Sequence, residues 1–387
     1  MRRQVAAFNG ETCLAVKSAD LSAHSKIPQP VPTAANPRPL RHPPRELESL
    51  GKIPFLFVYF VSLCRKKGPV VKSPATFARD AMATRFEIVL PGDDPVRLRA
   101  AAEEAFDEID RLERQLSLYI PTSEIAAVNA RAAREPIRVS PETMRVLQHA
   151  ARLSAETGGA FDPTIAPLMR AWGFLHGSGH PADPEQLAAA RACVGMNLVE
   201  LNPAAGTVRF TRSGMMLDLG AIGKGYAVDR AAALLREAGI ASALIHGGTS
   251  TAYALGHPPD NASWRITLEY PRQSPEAPPP LANFDLSDES LSVSAVWGKS
   301  FEAGGRRFGH VLDPRTGQPA QHAVLAAVAS GSATETDALS TALLTLGLED
   351  IGRIATLRPG ARALAVAEDA GHRFRVASRG VGFLAQT

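Results

Sequence analysis

Five short segments of the chain carry groups of the kinds that handle phosphate, metal or protons. The first is Asp218-Leu219-Gly220-Ala221-Ile222-Gly223-Lys224-Gly225-Tyr226, set between an apolar stretch and a helix-like one. Glycines let a backbone approach a ligand closely, and a helix start offers unpaired N–H groups and a positive dipole end to an anion. Lys224 adds a point charge suited to phosphate. The spacing G-x-x-G-x-G is not the dinucleotide pattern G-x-G-x-x-G, and Gly225 stands where a mononucleotide loop has Ser or Thr. A phosphate loop and a tight strand-to-helix turn with a solvated lysine both fit these nine residues.

In the second, Thr336-Asp337-Ala338-Leu339-Ser340-Thr341, a helix puts Asp337 and Thr341 on one face at i and i+4. A carboxylate and a hydroxyl there suit a hard cation such as Mg²⁺, whose shell is usually completed by phosphates and water. An aspartate stabilised by the helix dipole is the plainer reading. In the third, Gly309 to Gly317 (GHVLDPRTG), the Asp-Pro-x-x-Gly pattern accounts for Asp313 and Gly317 as a turn. His310 then stands at a strand end, as a general acid or base or as a structural histidine. The fourth, Thr157 to Thr164 (TGGAFDPT), is followed by Trp172-Gly173-Phe174. Here Phe161 can lie against an aromatic ligand with Asp162 bonded to a ring N–H, or the run is a helix stop and a buried anchor. The fifth is Tyr119 with Ser123, Glu124 and Asn129, read as a polar loop.

The elements that must position these groups follow from periodicity. Thr84–Leu90 alternates as a half-buried strand does. Asp94-Pro95 starts a helix whose Phe106, Ile109, Leu112 and Leu116 share a face. Ser140-Pro141-Glu142 starts another, lined by Met144, Leu147, Ala150 and Leu153 and stopped at Gly158-Gly159. The pattern predicts a hairpin over Leu198–Leu201 and Thr207–Thr211, a strand over Met215–Leu219 and a helix over Tyr226–Ala238 stopped at Gly239. It predicts further strands at Ala243–Ile245, Thr251–Leu255, Trp264–Glu269, Leu291–Ser294, Phe308–Leu312 and Val324–Ala329. Gln273–Pro280 reads as a Pro-rich loop, Thr336–Leu346 as a helix, and Ala361–Ala367 with Arg373–Ala377 as a hairpin. No regular β-α-β beat appears, which favours α+β over a doubly wound sheet.

Composition narrows the class. Residues 1–75 hold twelve basic and four acidic residues, a net of +8, whereas 76–387 hold thirty against thirty-five, a net of −5. The positive total of +3 therefore comes from the N-terminal extension, and a broad nucleic-acid face on the mildly acidic body is not expected. Three cysteines without a C-x-x-C pair give neither a zinc site nor a disulfide framework. Seven prolines between Pro28 and Pro44 read as poorly ordered chain. The apolar run Ile53–Cys64 is shorter than the ~20 residues of a membrane span. It has the length of a signal-peptide core but begins late and is followed by Arg65-Lys66-Lys67. The extension reads as a targeting or lipid-anchor segment, or as chain upstream of the true start.

Taken together and in order, these segments resemble one family, the bacterial FAD:protein FMN transferases (the ApbE family). The pieces that carry the resemblance are Met82-Ala83-Thr84, Leu116–Tyr119 with Ser123-Glu124-Ile125 and Asn129, Thr157–Thr164 with Trp172-Gly173-Phe174, Asp218–Asp229, Gly247-Gly248, His310–Gly317 and Asp337–Thr341. The resemblance implies a single α+β, T-fold-like domain over 76–387, with mixed sheets and flanking helices, behind a poorly ordered extension over 1–75. It implies cleavage of FAD, attachment of FMN to a Thr or Ser hydroxyl of an acceptor protein, and release of AMP. Acceptors would be flavin-carrying subunits of redox-driven electron-transfer complexes. Met82, Tyr119, Ala160, Phe161, Asp162, Asp218 and Lys224 match FAD-contacting positions. The Ala221 carbonyl, Asp337 and Thr341 match Mg²⁺ ligands, and His310 matches the histidine that assists the acceptor hydroxyl. Thr249, Gly223 and Ser292-Val293-Ser294-Ala295 depart from the family's usual residues. Two alternatives share these groups: an FAD pyrophosphatase, and a non-catalytic flavin carrier, which needs no Mg²⁺ cluster. The family's usual place is the periplasmic side of the inner membrane; a cytoplasmic location also fits the weak targeting signal.

Overall fold

The computed structural model describes residues 74–259, 263–270, 280–369 and 373–382, with three short upstream strands, Thr12–Ala15, Tyr59–Phe60 and Ser62–Arg65. The Pro-rich tract Pro28–Pro44, most of the Ile53–Cys64 run and the Gln273–Pro279 part of the expected loop lie outside the described residues. No helix among the described residues is long and apolar enough to cross a membrane.

Eight strands form the main sheet: β1 Ala75–Ala81, β2 Thr84–Leu90, β3 Ala243–Gly247, β4 Thr251–Leu255, β5 Glu289–Ala295, β6 Leu325–Ser330, β7 Arg362–Glu368 and β8 Phe374–Arg379. Their spatial order is their chain order, and each pairs antiparallel with the next. The α+β class stands; the sheets, expected to be mixed, are antiparallel in the described pairings because every long excursion returns to the edge it left.

Five helices matter to the site: α1 Pro95–Leu116, α2 Glu124–Arg131, α3 Pro141–Glu156, α4 Gly223–Glu237 and α5 Ala333–Leu346. Asp94 caps α1 by accepting from the N–H groups of Val96 and Arg97 at 3.1 and 3.0 Å. Its Phe106, Ile109, Leu112 and Leu116 are buried as one stripe. Ser123 caps α2, accepting from Ala126 N–H at 2.9 Å, so the polar loop expected there is a helix whose apolar period is short. Gly158 and Gly159, at φ 63° and 77°, end α3 in the left-handed backbone that glycine adopts without penalty.

Alternation along the strands divides the core. Phe86 and Ile88 of β2, Ile245, Val328 and Ala365 face α1, α4 and α5. Leu244, Ala254, Leu291, Leu325 and Val366 face the hairpin Trp264–Glu269/Pro280–Leu286, which brings Trp264, Ile266 and Phe284 onto the other side. Full burial of each Phe, Ile, Leu or Val among them stabilises by about 1.5–3 kcal/mol. The strand Pro280–Leu286 was not foreseen, because its start reads as the end of a Pro-rich loop.

Met215–Leu219 is not a strand. It is extended chain, and its partner is a side chain: Leu217 N–H donates to Asn129 Oδ1 at 2.7 Å, and Asn129 Nδ2 donates to the Leu217 carbonyl at 2.9 Å. Asp218 N–H donates to the Pro163 carbonyl at 2.7 Å. Asn129 on α2 thus does the work of a neighbouring strand and fixes the approach to the glycine loop.

Candidate active site

The glycine loop and α5 meet edge to edge. Helix α4 begins at Gly223 rather than Tyr226, so two loop glycines belong to its first turn. A Cβ at Gly225 would lie 2.1 Å from the Ala333 carbonyl oxygen and 2.9 Å from Asp337 Cβ. Only glycine allows this approach, and it brings Gly225 N–H to Asp337 Oδ2 at 3.0 Å. From the other direction Asp229 of α4 caps α5. It accepts from Ala333 and Thr334 N–H at 2.8 and 2.9 Å and from the Ser332 and Thr334 hydroxyls at 2.8 and 2.6 Å. This carboxylate, with Ser332, starts α5 at Ala333 instead of Thr336 and sets the height of Asp337.

Asp337 is 4% exposed and Lys224 Nζ stands 4.0 Å from its Oδ2. Lys224 also donates to the Gly220 carbonyl at 3.1 Å. Thr341 Oγ1 lies 3.1 Å from the Asp337 carbonyl and 3.1 Å from Ser294 Oγ. Because Gly225 N–H is spent on Asp337, the Ala221 carbonyl four residues earlier accepts no hydrogen bond among the described residues. Carboxylate, hydroxyl and free carbonyl are the hard oxygen donors a Mg²⁺ ion takes while keeping waters or phosphates. They fit such an ion, although no group of three or more His, Cys, Asp or Glu among the described residues is placed to hold one. Beneath Asp337 lies a hydroxyl network that periodicity did not reveal: Ser292 bonds Thr251 at 3.3 Å and Thr336 at 2.8 Å, and Ser290 bonds Thr336 at 3.0 Å.

Asp218 stands at the loop entrance, its Oδ1 accepting from Gly220 N–H at 2.8 Å. Burial pushes its carboxyl upward, against the pull of that bond and of the Lys224 and Lys299 charges. Tyr119 faces Asp218: burial and that carboxylate raise its phenol, yet the ring is 53% exposed and meets His176 edge-on at 6.1 Å.

His310 follows the hairpin Ser300–Ala303/Arg306–Gly309. Its N–H donates to the Lys299 carbonyl at 3.0 Å. Its Nδ1 is buried without a partner, and burial lowers its pKa, with Lys299 and Lys224 adding repulsion. The hairpin is anchored by Trp172, whose ring lies 5.9 Å from Phe308 and 6.1 Å from Phe301, while its Nε1 donates to the Gly317 carbonyl at 2.8 Å. The Trp172-Gly173-Phe174 and Asp313–Gly317 segments are therefore supports for His310.

Three matched positions are buried in the frame. Ala160 is fully buried and its carbonyl accepts from Thr345 of α5 at 3.1 Å. Asp162 accepts from Ser154 Oγ, Thr164 N–H, Thr164 Oγ1 and Met196 N–H at 3.0, 2.8, 2.5 and 3.1 Å. Four donors from the chain use the capacity of its two oxygens. Phe161 is 3% exposed. Met82 and Ala83 form the β1–β2 turn at φ 50° and 57°, a left-handed pair that costs non-glycine residues about 1–2 kcal/mol each. That tip lies against Gly248, where a Cβ would meet Thr84 Oγ1 at 2.2 Å.

The surroundings of this site can be compared with known proteins. A model of the ApbE family matches residues 82–365. The FAD:protein FMN transferase of Treponema pallidum is 30% identical over 285 residues, 70% of this chain and 78% of that protein. The protein of that name from Klebsiella pneumoniae is 28% identical over 286 residues, covering 72% and 81%. Among solved structures, the apo Pseudomonas stutzeri flavinyl transferase ApbE superposes with a TM-score of 0.69 at 30% identity, covering 79% of this chain and 94% of that one. By fold and site the chain is an α+β enzyme of the class to which these flavin transferases belong. More particularly, it belongs to the ApbE family.

Proposed function

We propose that the chain cleaves FAD and transfers FMN to a Ser or Thr hydroxyl of an acceptor protein, releasing AMP. The observation that carries this reading is the bond from Gly225 N–H to Asp337. It locks the glycine loop, Lys224 and α5 into one oxygen-rich, cationic corner. Asp337, Thr341 and the Ala221 carbonyl would hold Mg²⁺, which when bound would neutralise charge on the pyrophosphate. Lys224 pairs with the same phosphates as their charge shifts during transfer. His310, kept neutral by burial, accepts the proton of the acceptor hydroxyl. A bond forms from that oxygen to the flavin-side phosphorus, the pyrophosphate P–O bond breaks, and AMP leaves with the electron pair. The acceptor proposed is a flavin-carrying subunit of a redox-driven electron-transfer complex.

The test mixes the protein with FAD, Mg²⁺ and an acceptor domain of that kind, following AMP and flavin fluorescence on the denatured acceptor. Labelling with equimolar AMP, both lost in Asp337→Asn, is expected. AMP without labelling would assign water as the acceptor and make the chain a pyrophosphatase. Bound FAD with neither product would make it a carrier.

A further inference from the structure

Lys299 was not singled out by any motif, and among the described residues it is a cation beside His310 without an obvious structural task. It is exposed, and its ammonium makes no hydrogen bond or ion pair with another described residue. Its backbone is nevertheless fixed. The Lys299 carbonyl accepts from His310 N–H at 3.0 Å, one step beyond the Ser300–Gly309 pair of the hairpin. Gly298 lets this happen: at φ 140° it presents its Cα to the imidazole, and a Cβ there would lie 3.1 Å from His310 Cε1. Phe301 and Phe308, whose rings are 5.2 Å apart, hold the hairpin base.

The charge around this lysine is distributed unevenly. Lys224 already has the Asp337 carboxylate at 4.0 Å and the Gly220 carbonyl at 3.1 Å. Lys299 is close enough to act on both Asp218 and His310, yet pairs with neither. An unpaired ammonium on a backbone fixed to His310, whose charge together with that of Lys224 acts on both Asp218 and His310, is placed for an anion that arrives with the substrate.

We propose that Lys299 is a second phosphate-binding cation of this site, meeting the FAD phosphates from the His310 side while Lys224 meets them from the helix side. This rests on the flavin-transfer reading and adds a residue to it. A bound phosphate between the two lysines also places the reacting phosphorus next to the imidazole that receives the hydroxyl proton.

The experiment measures equilibrium binding of FAD, FMN and riboflavin by flavin fluorescence. It compares the full chain with Lys299→Gln, Lys299→Arg and, as a control on the same hairpin, Arg307→Gln. Lys299→Gln should weaken FAD and FMN binding about tenfold, as expected for one lost charge-assisted contact, and leave riboflavin binding unchanged. Lys299→Arg should restore most of the loss, and Arg307→Gln should bind as the parent does. Unchanged FAD binding in Lys299→Gln would overturn the proposal while leaving flavin transfer intact. An equal loss for riboflavin would overturn it too, by showing a structural effect on the hairpin. A parent chain that binds no FAD would overturn the flavin-transfer reading itself.

Discussion

At His310, burial and the charges of Lys299 and Lys224 outweigh the opposing effect of a bond to the Lys299 carbonyl. The imidazolium is disfavoured, so the ring titrates below the usual value of about 6.5 and is neutral at pH 7. A base must be deprotonated to act, so transfer should persist as pH falls through 6.5 and be lost only below the lowered pKa. A pH–rate profile checks this, and an acid limb at or above 6.5 would contradict it. His310→Ala should keep FAD affinity and lose about 10²–10⁴-fold in transfer. If FAD binding collapses as well, the histidine is structural. At Asp337 the expectation differs. Asp337→Asn keeps the shape and the bond from Gly225 but removes the charge, so AMP release should fall about 10²–10³-fold. Added EDTA should have little further effect on the variant while abolishing the parent's activity. Asp162 is a contrasting case: with four internal donors, its replacement by Ala should lower stability by leaving buried donors unpaired, at about 1–3 kcal/mol.

The pair α4 and α5 carries the site as a unit, and its tolerance to volume is uneven. At Gly225 a methyl group would press on the Ala333 backbone, which cannot turn aside, so Gly225→Ala must part the helices. A loss of about 1–3 kcal/mol is expected, with AMP release lost as Asp337 moves. Gly331→Ala, six residues before Asp337, meets nothing within 4 Å and should melt as the parent does. Thermal melts of the two variants side by side separate local crowding from a general glycine effect. The Asp229 cap makes a related prediction. Asp229→Ala removes the acceptor of four hydrogen bonds at the α5 start and should cost about 2 kcal/mol, read as a lower melting temperature.

Across the whole molecule, the antiparallel sheet is a platform on which distant segments converge. Met82, Tyr119, Asp218, Lys224, His310 and Asp337 come from four separate connections between strands of the sheet, yet the glycine loop, α5 and the His310 hairpin are joined by direct bonds or close charges. A ligand bridging such elements binds the folded state alone. FAD at about 100 times its dissociation constant should therefore stabilise the protein by about 2.7 kcal/mol, measured as a rise in melting temperature that grows with ligand concentration. No rise at saturating FAD would argue against the site.

Sequence alone fixed the elements that obey a local rule. The α1 stripe, the Ser140 and Asp94 caps, the Gly158-Gly159 stop and the Asp313–Gly317 turn are written within a few neighbouring residues, and all are found. Each site motif taken alone also fitted a purely structural reading, and only their joint order, through the family resemblance, grouped them. Tertiary structure decided what depends on contacts across the chain. Met215–Leu219 has a strand's pattern but takes an asparagine side chain as its partner. Helix α5 starts early because Asp229, on another helix, supplies the cap. Asp162, which the sequence offers as a ligand contact, has its side-chain oxygens taken up by internal donors, while Lys299 stands unpaired beside His310. Such facts have no local signature: hydrogen-bond satisfaction and burial are properties of groups brought together by the fold, and only the assembled chain determines which charges are left over for a ligand.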